Sequence, residues 1–396
     1  MISVNDALKK VLDTCRSFGI EEVGILEANG RILASGVVAD RDFPAFDRVT
    51  MDGIAVNSLV FRQGVRSFYI GAVQAAGTPQ KTLGQENHCI EVMTGAMLPL
   101  HADAVIPYED LVIENGNARV KTDSVKTRQN VHLQGSDCCR GDILIAEGAE
   151  ITPTVSAILA SVGLQRVGVK RLPKIAVCST GDELVEIDQT PASHQIRQSN
   201  VYMLLSALLK EGIRGDKYYL PDSPQQMLAI MESLIRQYDA ILLSGAVSKG
   251  KYDFLPGVLQ HLGVTPIVHG VAQKPGKPFL FGQCQKQTVL FGFPGNPVST
   301  WVCYQIYFRA WLSQCMGQSQ RMRKVILGSE VTFKSPLTRH LLVRLKNVRG
   351  MATAIPVDTS TSGDMVSLIQ GEALISLPPS KERFQKGEEY QAILFS

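Results

Sequence analysis

Apolar and polar positions alternate differently along four stretches of the chain. Between Lys174 and about Cys315, short apolar runs alternate with amphipathic stretches, the pattern of a parallel sheet covered on both faces. The predicted strands are Lys174 to Ser179, Asp216 to Leu220, Ala240 to Ser244, Val264 to His269 and Val289 to Gly292. Predicted helices between and after them run from Ser199 or Asn200 to Glu211, from Ser223-Pro224 to Arg236, and from Val298 to Met316. Near the N-terminus, Leu8, Val11, Leu12 and Cys15 share one helical face over residues 3 to 16, with Ser3 and Asp6 spaced as a capping box. From about Val37 to Val125 the pattern changes to short β-rich pieces punctuated by glycine and proline, including Ser67-Phe-Tyr-Ile and Cys89-Ile-Glu-Val. Thr152-Pro153 opens another helix, with Val155, Ile158, Leu159 and Val162 inward and Gly163 as its stop. Beyond Arg321 the pattern predicts strands only: Val325 to Thr332, Leu341 to Leu345, Leu374 to Leu377 and Tyr390 to Leu394.

Composition narrows the function classes. With 396 residues, 45% hydrophobic and only 19% charged, the chain is long enough for several cored domains and too apolar for general disorder. A formal charge of +3 points to no polyanionic partner such as nucleic acid. The uncharged run Thr288 to Phe308 is broken by Pro294, Asn296, Pro297, Ser299 and Gln305, so it predicts a strand, loop and buried helix rather than a membrane span. The first ten residues lack the pattern of a signal peptide. Eight scattered cysteines with no zinc spacing predict reduced thiols and a cytoplasmic setting.

Ligands of open α/β sheets collect beyond the carboxyl ends of the strands, and here those turns are rich in chemistry. The first is Ser179-Thr180-Gly181-Asp182-Glu183, ending a strand on hydroxyls, a glycine and carboxylates. The second runs from Ser244-Gly245 through Ser248 to Asp253, with small residues that let backbone N–H groups approach an anion. In Lys274-Pro275-Gly276-Lys277-Pro278, two lysines sit on a stiff frame that limits their freedom before binding. Pro294-Gly295-Asn296-Pro297-Val298-Ser299 leads into a helix whose free N–H groups suit an anion. Neither a Walker loop nor a dinucleotide fingerprint is present. Lysines for oxyanions and carboxylates for Mg²⁺ together suggest a phosphate-bearing ligand with a divalent cation.

These turns, with Thr50-Met-Asp-Gly-Ile-Ala55, Thr94-Gly-Ala-Met-Leu-Pro99, Ala102 to Glu109, Gly135-Ser-Asp137, Ser199-Asn-Val-Tyr202 and Asp222-Ser-Pro224, occur in an order that resembles the molybdenum insertion enzymes, the bacterial MoeA proteins and the gephyrin E domain. The resemblance covers essentially the whole chain. It implies a multidomain α/β and β fold with a central doubly wound molybdopterin-binding α/β domain, an inserted β-rich domain, a helical and extended linker domain and a C-terminal β-barrel. The implied boundaries are 1–47 with 138–170 (linker), 48–137 (inserted), 171–320 (α/β) and 321–396 (barrel). It also implies an elongated homodimer, with a separate molybdopterin adenylyltransferase as upstream partner. The implied activity inserts molybdate into adenylylated molybdopterin with Mg²⁺-dependent release of AMP.

Carried over by position, the resemblance implies catalytic roles for Asp52, Asp137, Glu183, Asp222, Asp253, Lys274 and Lys277, with Asp222 and Asp253 holding metal. It implies pterin or phosphate contacts from Thr180, Gly181, Asp182, Ser244, Gly245, Ser248, Pro275, Gly276, Pro294, Gly295, Asn296, Pro297 and Ser299. Asp52 and Asp137 would serve the cleft of the partner subunit. Asp52 could otherwise cap a helix, and Ser362-Gly363-Asp364 could be a cleft-facing turn or a plain hairpin turn. The chain departs from the family's motifs at His132 (arginine in relatives), Ser136 (glutamate) and Ala246 (glycine). Two rival readings stay open: a non-catalytic pterin-binding or scaffold paralogue, and a nucleotide-cleaving hydrolase sharing only the α/β domain. The retained acids and lysines argue against the first, and the inserted motifs against the second. Molybdate and tungstate, nearly equal in size and charge, are not distinguished.

Overall fold

The structure, a computed structural model, describes residues 1–245, 254–284 and 287–395. The chain forms two compact units, one of residues 1–21 with 170–396 and one of residues 22–169.

The first unit is built on a six-stranded sheet. Its elements in chain order are β1 (Ile175–Thr180), α1 (Ser199–Lys210), β2 (Asp216–Leu220), α2 (Pro224–Gln237), β3 (Ala240–Ser244), α3 (Leu255–His261), β4 (Thr265–His269), β5 (Leu280–Gln283) and β6 (Val289–Phe293). The strand order is β2-β1-β3-β6-β5-β4. β1, β2, β3 and β6 are parallel, whereas β5 runs antiparallel to both β6 and β4. The five strands expected from the pattern are present. The expected all-parallel sheet is corrected by β5, whose apolar run Phe279-Leu280-Phe281 is cut short between Pro278 and Gly282 and so does not stand out as a strand.

Both sheet faces are covered, which is why β1, β3 and β6 are buried at every position. On one face Ala176, Cys178, Ile241, Leu243 and Leu290 pack with Met227, Met231 and Leu234 of α2 and Val258 and Leu259 of α3. On the other, Phe291 meets Phe308 and Trp311 edge-on. Those rings lie on a helical rod made of α4 (Pro297–Cys303), a π-helical stretch (Tyr304–Phe308) and α5 (Arg309–Cys315). Among the described residues no helix is long and apolar enough to cross a membrane, and the charge-free stretch Thr288 to Phe308 is β6, the turn after it and the first part of this buried rod, as expected.

After this sheet come the strands Met322–Leu327, Thr338–Val348, Met351–Pro356, Ala373–Leu377 and Glu389–Leu394. Thr338–Val348 pairs with both Met351–Pro356 and Ala373–Leu377, so the five strands close into a barrel. The expectation of strands only is corrected by a short helix, Met365–Leu368, capped by the Asp364 carboxylate. The helix Val4–Leu12 belongs to the same unit, and its Ser3 hydroxyl accepts from the Asp6 N–H as the capping spacing predicts.

The second unit contains a six-stranded sheet in the order Ala104–Pro107, Gly53–Val56, His88–Val92, Ser67–Gln74, Asn117–Val120, Leu111–Glu114. A separate core of Ala28, Leu33, Val37, Ile145, Ile151, Leu159, Val167 and Val169 surrounds the helix Pro153–Ser161. Leu159 is fully buried there, but Ile158, expected inward, is 38% exposed. The helix has only two and a half turns, and a face read from spacing alone misplaces a residue at its edge.

Candidate functional site

The site is organised by register. Thr180 pairs with Leu220, Ser179 with Ser244, and Ser244 with Phe293, so β1, β2, β3 and β6 end level with one another. The turns after these strands therefore share one edge of the sheet. Because Leu280 pairs with both Gly292 and His269, the segment between β4 and β5 returns to that same edge carrying the two lysines.

The Thr180 hydroxyl donates to Asp222 Oδ1 at 3.2 Å. Asp182 Oδ1 accepts from the Tyr219 hydroxyl at 3.3 Å and from the Asp222 N–H at 3.5 Å, joining the turns after β1 and β2. Tyr219, missed by the sequence reading, also donates to the Gly181 carbonyl at 3.4 Å. Burial, reinforced by the Asp182 charge, pushes its hydroxyl up to about 12, so it stays a hydrogen-bond donor at neutral pH. Glu183 is exposed on the same turn, while its backbone carbonyl accepts from Ile196.

The turns after β3 and β6 are tied by Asn200, whose amide donates to Ser244 Oγ at 2.9 Å and to the Gly295 carbonyl at 2.7 Å. Gly245 has φ +99°, and a Cβ there would stand 2.9 Å from the Thr180 carbonyl oxygen, so neither backbone nor space admits a side chain. Asn296 precedes α4 and Pro297 opens it, as expected from the sequence. Its first-turn N–H groups are only partly free, however. Ser362 O accepts from the Val298 N–H at 3.1 Å, and Ser362 Oγ accepts from the Asn296 amide at 2.7 Å. The Ser362-Gly363-Asp364 turn is thus a cover on this helix start. Pro294 O accepts from the Thr300 hydroxyl, and Ser299 is buried in the first turn. Ser248 and Asp253 lie outside the described residues.

Lys274 and Lys277 are exposed, and among the described residues no carboxylate pairs with either. Between them Pro275 is half-buried and Gly276 buried. Two outward ammonium groups on an inward-anchored turn suit an oxyanion.

The Asp182–Asp222–Thr180 cluster presents hard oxygen donors of the kind a divalent cation takes. Among the described residues no group of three His, Cys, Asp or Glu side chains forms a metal cage. That donor set fits Mg²⁺, which commonly takes one or two carboxylates and keeps waters and phosphate oxygens as its other ligands.

In the second unit, Asp52 caps no helix. Its Oδ1 accepts from the Thr94 N–H at 2.6 Å and the Thr94 hydroxyl at 2.7 Å, which join the Met-Asp-Gly and Thr-Gly-Ala turns. The Thr94 backbone bond, then its hydroxyl, holds the Asp52 carboxyl below the usual carboxylate range. Asp137 Oδ1 lies 2.8 Å from His132 Nε2, and His132 Nδ1 lies 3.2 Å from the Arg48 guanidinium. Since guanidinium only donates, Nδ1 accepts and Nε2–H donates to Asp137. An arginine, Arg48, thus stands behind the histidine that holds Asp137. Arg48 is invisible to motif reading because it lies 84 residues away from its partner.

Comparison with known proteins identifies the family to which the chain belongs. Family models described as the MoeA N-terminal region (domain I and II), a probable molybdopterin binding domain and the MoeA C-terminal region (domain IV) match residues 2–163, 176–314 and 324–395. A molybdopterin molybdenumtransferase of Synechocystis is 38% identical, covering 98% of each chain. One from Bacillus subtilis is 28% identical over 99% of this chain and 94% of its own. A solved molybdopterin biosynthesis MoeA protein from a Pyrococcus species superposes with a TM-score of 0.85 at 29% identity, covering 100% of this chain and 99% of that one. With level strand ends, the paired-lysine turn, the closed barrel and full-length relatives all in agreement, the chain belongs to the MoeA family of molybdopterin molybdenumtransferases.

Proposed function

We propose that this enzyme of molybdenum cofactor biosynthesis binds adenylylated molybdopterin and molybdate, passes molybdenum to the pterin dithiolene and releases AMP. The observation that carries the reading is the level ending of β1, β2, β3 and β6, which gathers Thr180, Asp182, Asp222, Ser244 and Gly295 on the edge reached by Lys274 and Lys277. Backbone N–H groups and hydroxyls of the glycine turns hold the phosphates. The paired lysines take the molybdate dianion, whose charge they neutralise. Asp222, oriented by Thr180, and Asp182, oriented by Tyr219, would hold Mg²⁺, which when bound supplies charge stabilisation for the leaving nucleotide phosphate. No side chain is assigned as a covalent nucleophile: water splits the phosphoanhydride, and the protein's cysteines are not needed as molybdenum ligands because the pterin brings its own sulfurs.

In this reading the working form is a cytoplasmic homodimer, with Asp52 and Asp137 of one chain serving the nucleotide edge of the other. A separate adenylyltransferase supplies the substrate. The direct test is purified protein with adenylylated molybdopterin, Mg²⁺ and molybdate, scored for AMP and for cofactor that reconstitutes an apo-enzyme. Asp222→Ala should lower turnover at least ~100-fold while leaving the melting temperature near that of the parent. Binding without either product would favour a scaffold, and AMP without usable cofactor a hydrolase. Regained turnover in a subunit-exchanged mixture of Asp52→Ala and Asp222→Ala chains would support the shared site, and a fully active monomer would refute it.

A further inference from the structure

The paired-lysine turn rests on a chain of buried polar groups that no role described so far requires. Gln273, fully buried, donates from Nε2 to the Gly276 carbonyl at 3.1 Å, and Cys303 Sγ lies 3.7 Å from the same oxygen. Gln273 Oε1 accepts from the Tyr307 hydroxyl at 2.5 Å and faces His340 Nε2 at 3.4 Å. On the far side, His340 Nδ1 lies 2.9 Å from Ser376 Oγ.

The donors and acceptors admit one consistent assignment. Gln273 Oε1 can only accept, so His340 carries its proton on Nε2 and Nδ1 accepts from Ser376. Burial pushes the imidazole down to about 3, so it is neutral at physiological pH and this tautomer persists. The run is Ser376 to His340 to Gln273, with Tyr307 joining, then Gln273 to the carbonyl of Gly276.

Space and backbone point the same way. A Cβ on Gly276 would stand 2.5 Å from Cys303 Sγ and 2.7 Å from Gln273 Nε2, so the turn is pressed onto this seat. Gln273–Lys274 also pairs in parallel with Thr338–Arg339, the start of a barrel strand, in register Lys274 to Arg339. Tyr307 comes from the π-helical stretch, where an extra residue in the turn re-aims the side chains, and its ring stacks on Phe279 at 4.2 Å.

We propose that Gln273 is a positioning residue for the oxyanion site, fixing the spacing of Lys274 and Lys277 through the Gly276 carbonyl, and that the barrel takes part through His340. The inference rests on the reading of this edge as the molybdate site. Lysine side chains lose considerable entropy on binding, and a turn anchored between them lowers that cost in advance. Severing the anchor removes molybdate binding in the ground and transition states alike, which raises KM rather than lowering kcat.

The test uses the full chain with Gln273→Met, which keeps length and removes both polar ends, and the milder Tyr307→Phe, which keeps the ring stack. Gln273→Met should raise the KM for molybdate about tenfold with a much smaller change in kcat, and Tyr307→Phe should do the same to a lesser degree. In both, amide hydrogen exchange over residues 274–279 should speed up while that of β1 and β3 stays unchanged. Unchanged exchange in this turn, or a fall in kcat at constant KM, overturns the proposal. If the wild-type chain releases no AMP the functional reading fails instead, and the exchange measurement still decides whether Gln273 holds the turn.

Discussion

Ser244 is only 4% exposed and bonded to Asn200, whereas the Asp137 side chain in the other unit is 58% exposed and held by a single histidine. The first kind of site is made by packing. Its turns leave strands buried on both faces, Asn200 ties Ser244 to Gly295, and Gly245 lies too close to the Thr180 carbonyl for a side chain. The second kind is made by exposed hydrogen bonds between surface turns that lie far apart in sequence. Gln134 N–H donates to Asp47, Gln134 Nε2 and Arg140 N–H donate to Asp42, and Thr94 donates twice to Asp52. One architecture couples function to folding; the other leaves them separable.

The sharpest way to break this distinction is a matched pair of glycine substitutions. Gly245→Ala meets the Thr180 carbonyl as well as an unfavourable φ, and should cost about 2–4 kcal/mol in denaturant unfolding along with most of the turnover. Gly135→Ala, whose Cβ meets nothing nearer than 3.5 Å, should cost only about 1–2 kcal/mol at its φ of +68°. Equal losses would show that the two sites are built alike.

Next in size, Arg48→Ala and His132→Ala should each lower turnover about tenfold by freeing Asp137 to wander. Stability should move by less than ~1 kcal/mol, as for other exposed pairs. A large fall in melting temperature would place this relay in the packed class.

The smallest effect is in acid stability, where the two units respond in different windows. In the folded chain burial holds His340 near 3, while unfolded it titrates near 6.5. Between those values the unfolded chain binds the extra proton, so acidification favours unfolding, by about 1 kcal/mol from pH 6.5 to 5.5. Asp52, held below its unfolded value, withdraws its contribution only as pH falls below the ordinary carboxylate range. Denaturant titrations at pH 5.5 and 6.5 should therefore show a shallower pH slope in His340→Gln than in the parent, with Asp52→Asn indistinguishable from it. An unchanged slope in His340→Gln would show that its imidazole is not the buried neutral group described.

Most strand positions of the α/β sheet were legible, because apolar runs bounded by turns announce doubly covered strands to within a residue of Ile175–Thr180 and Val289–Phe293. The polar turns were legible too, since glycine, proline and clustered carboxylates mark them locally. What holds those turns was not. Gln273 reaches 67 residues to His340, and Asn200 reaches 95 to Gly295, distances over which no spacing rule operates. The π-helical stretch was equally hidden, because Tyr304–Phe308 fits an ordinary helical face until the ring packing is seen. Met351–Pro356 went unread because its Met-Ala-Thr-Ala alternation is weakly apolar.

The reversed strand β5 sets how much the chain length may drift between relatives. Leu280 packs in the core beneath α2 and α3, while Phe281 meets Phe291 on the opposite face. Inserting or deleting one residue between His269 and Leu280 would either unseat the lysine turn or exchange those two faces, since side chains alternate along a strand. The ten residues that join β4 to β5 are therefore expected to tolerate a change of side chain at half-buried Pro278 far better than any change in their number.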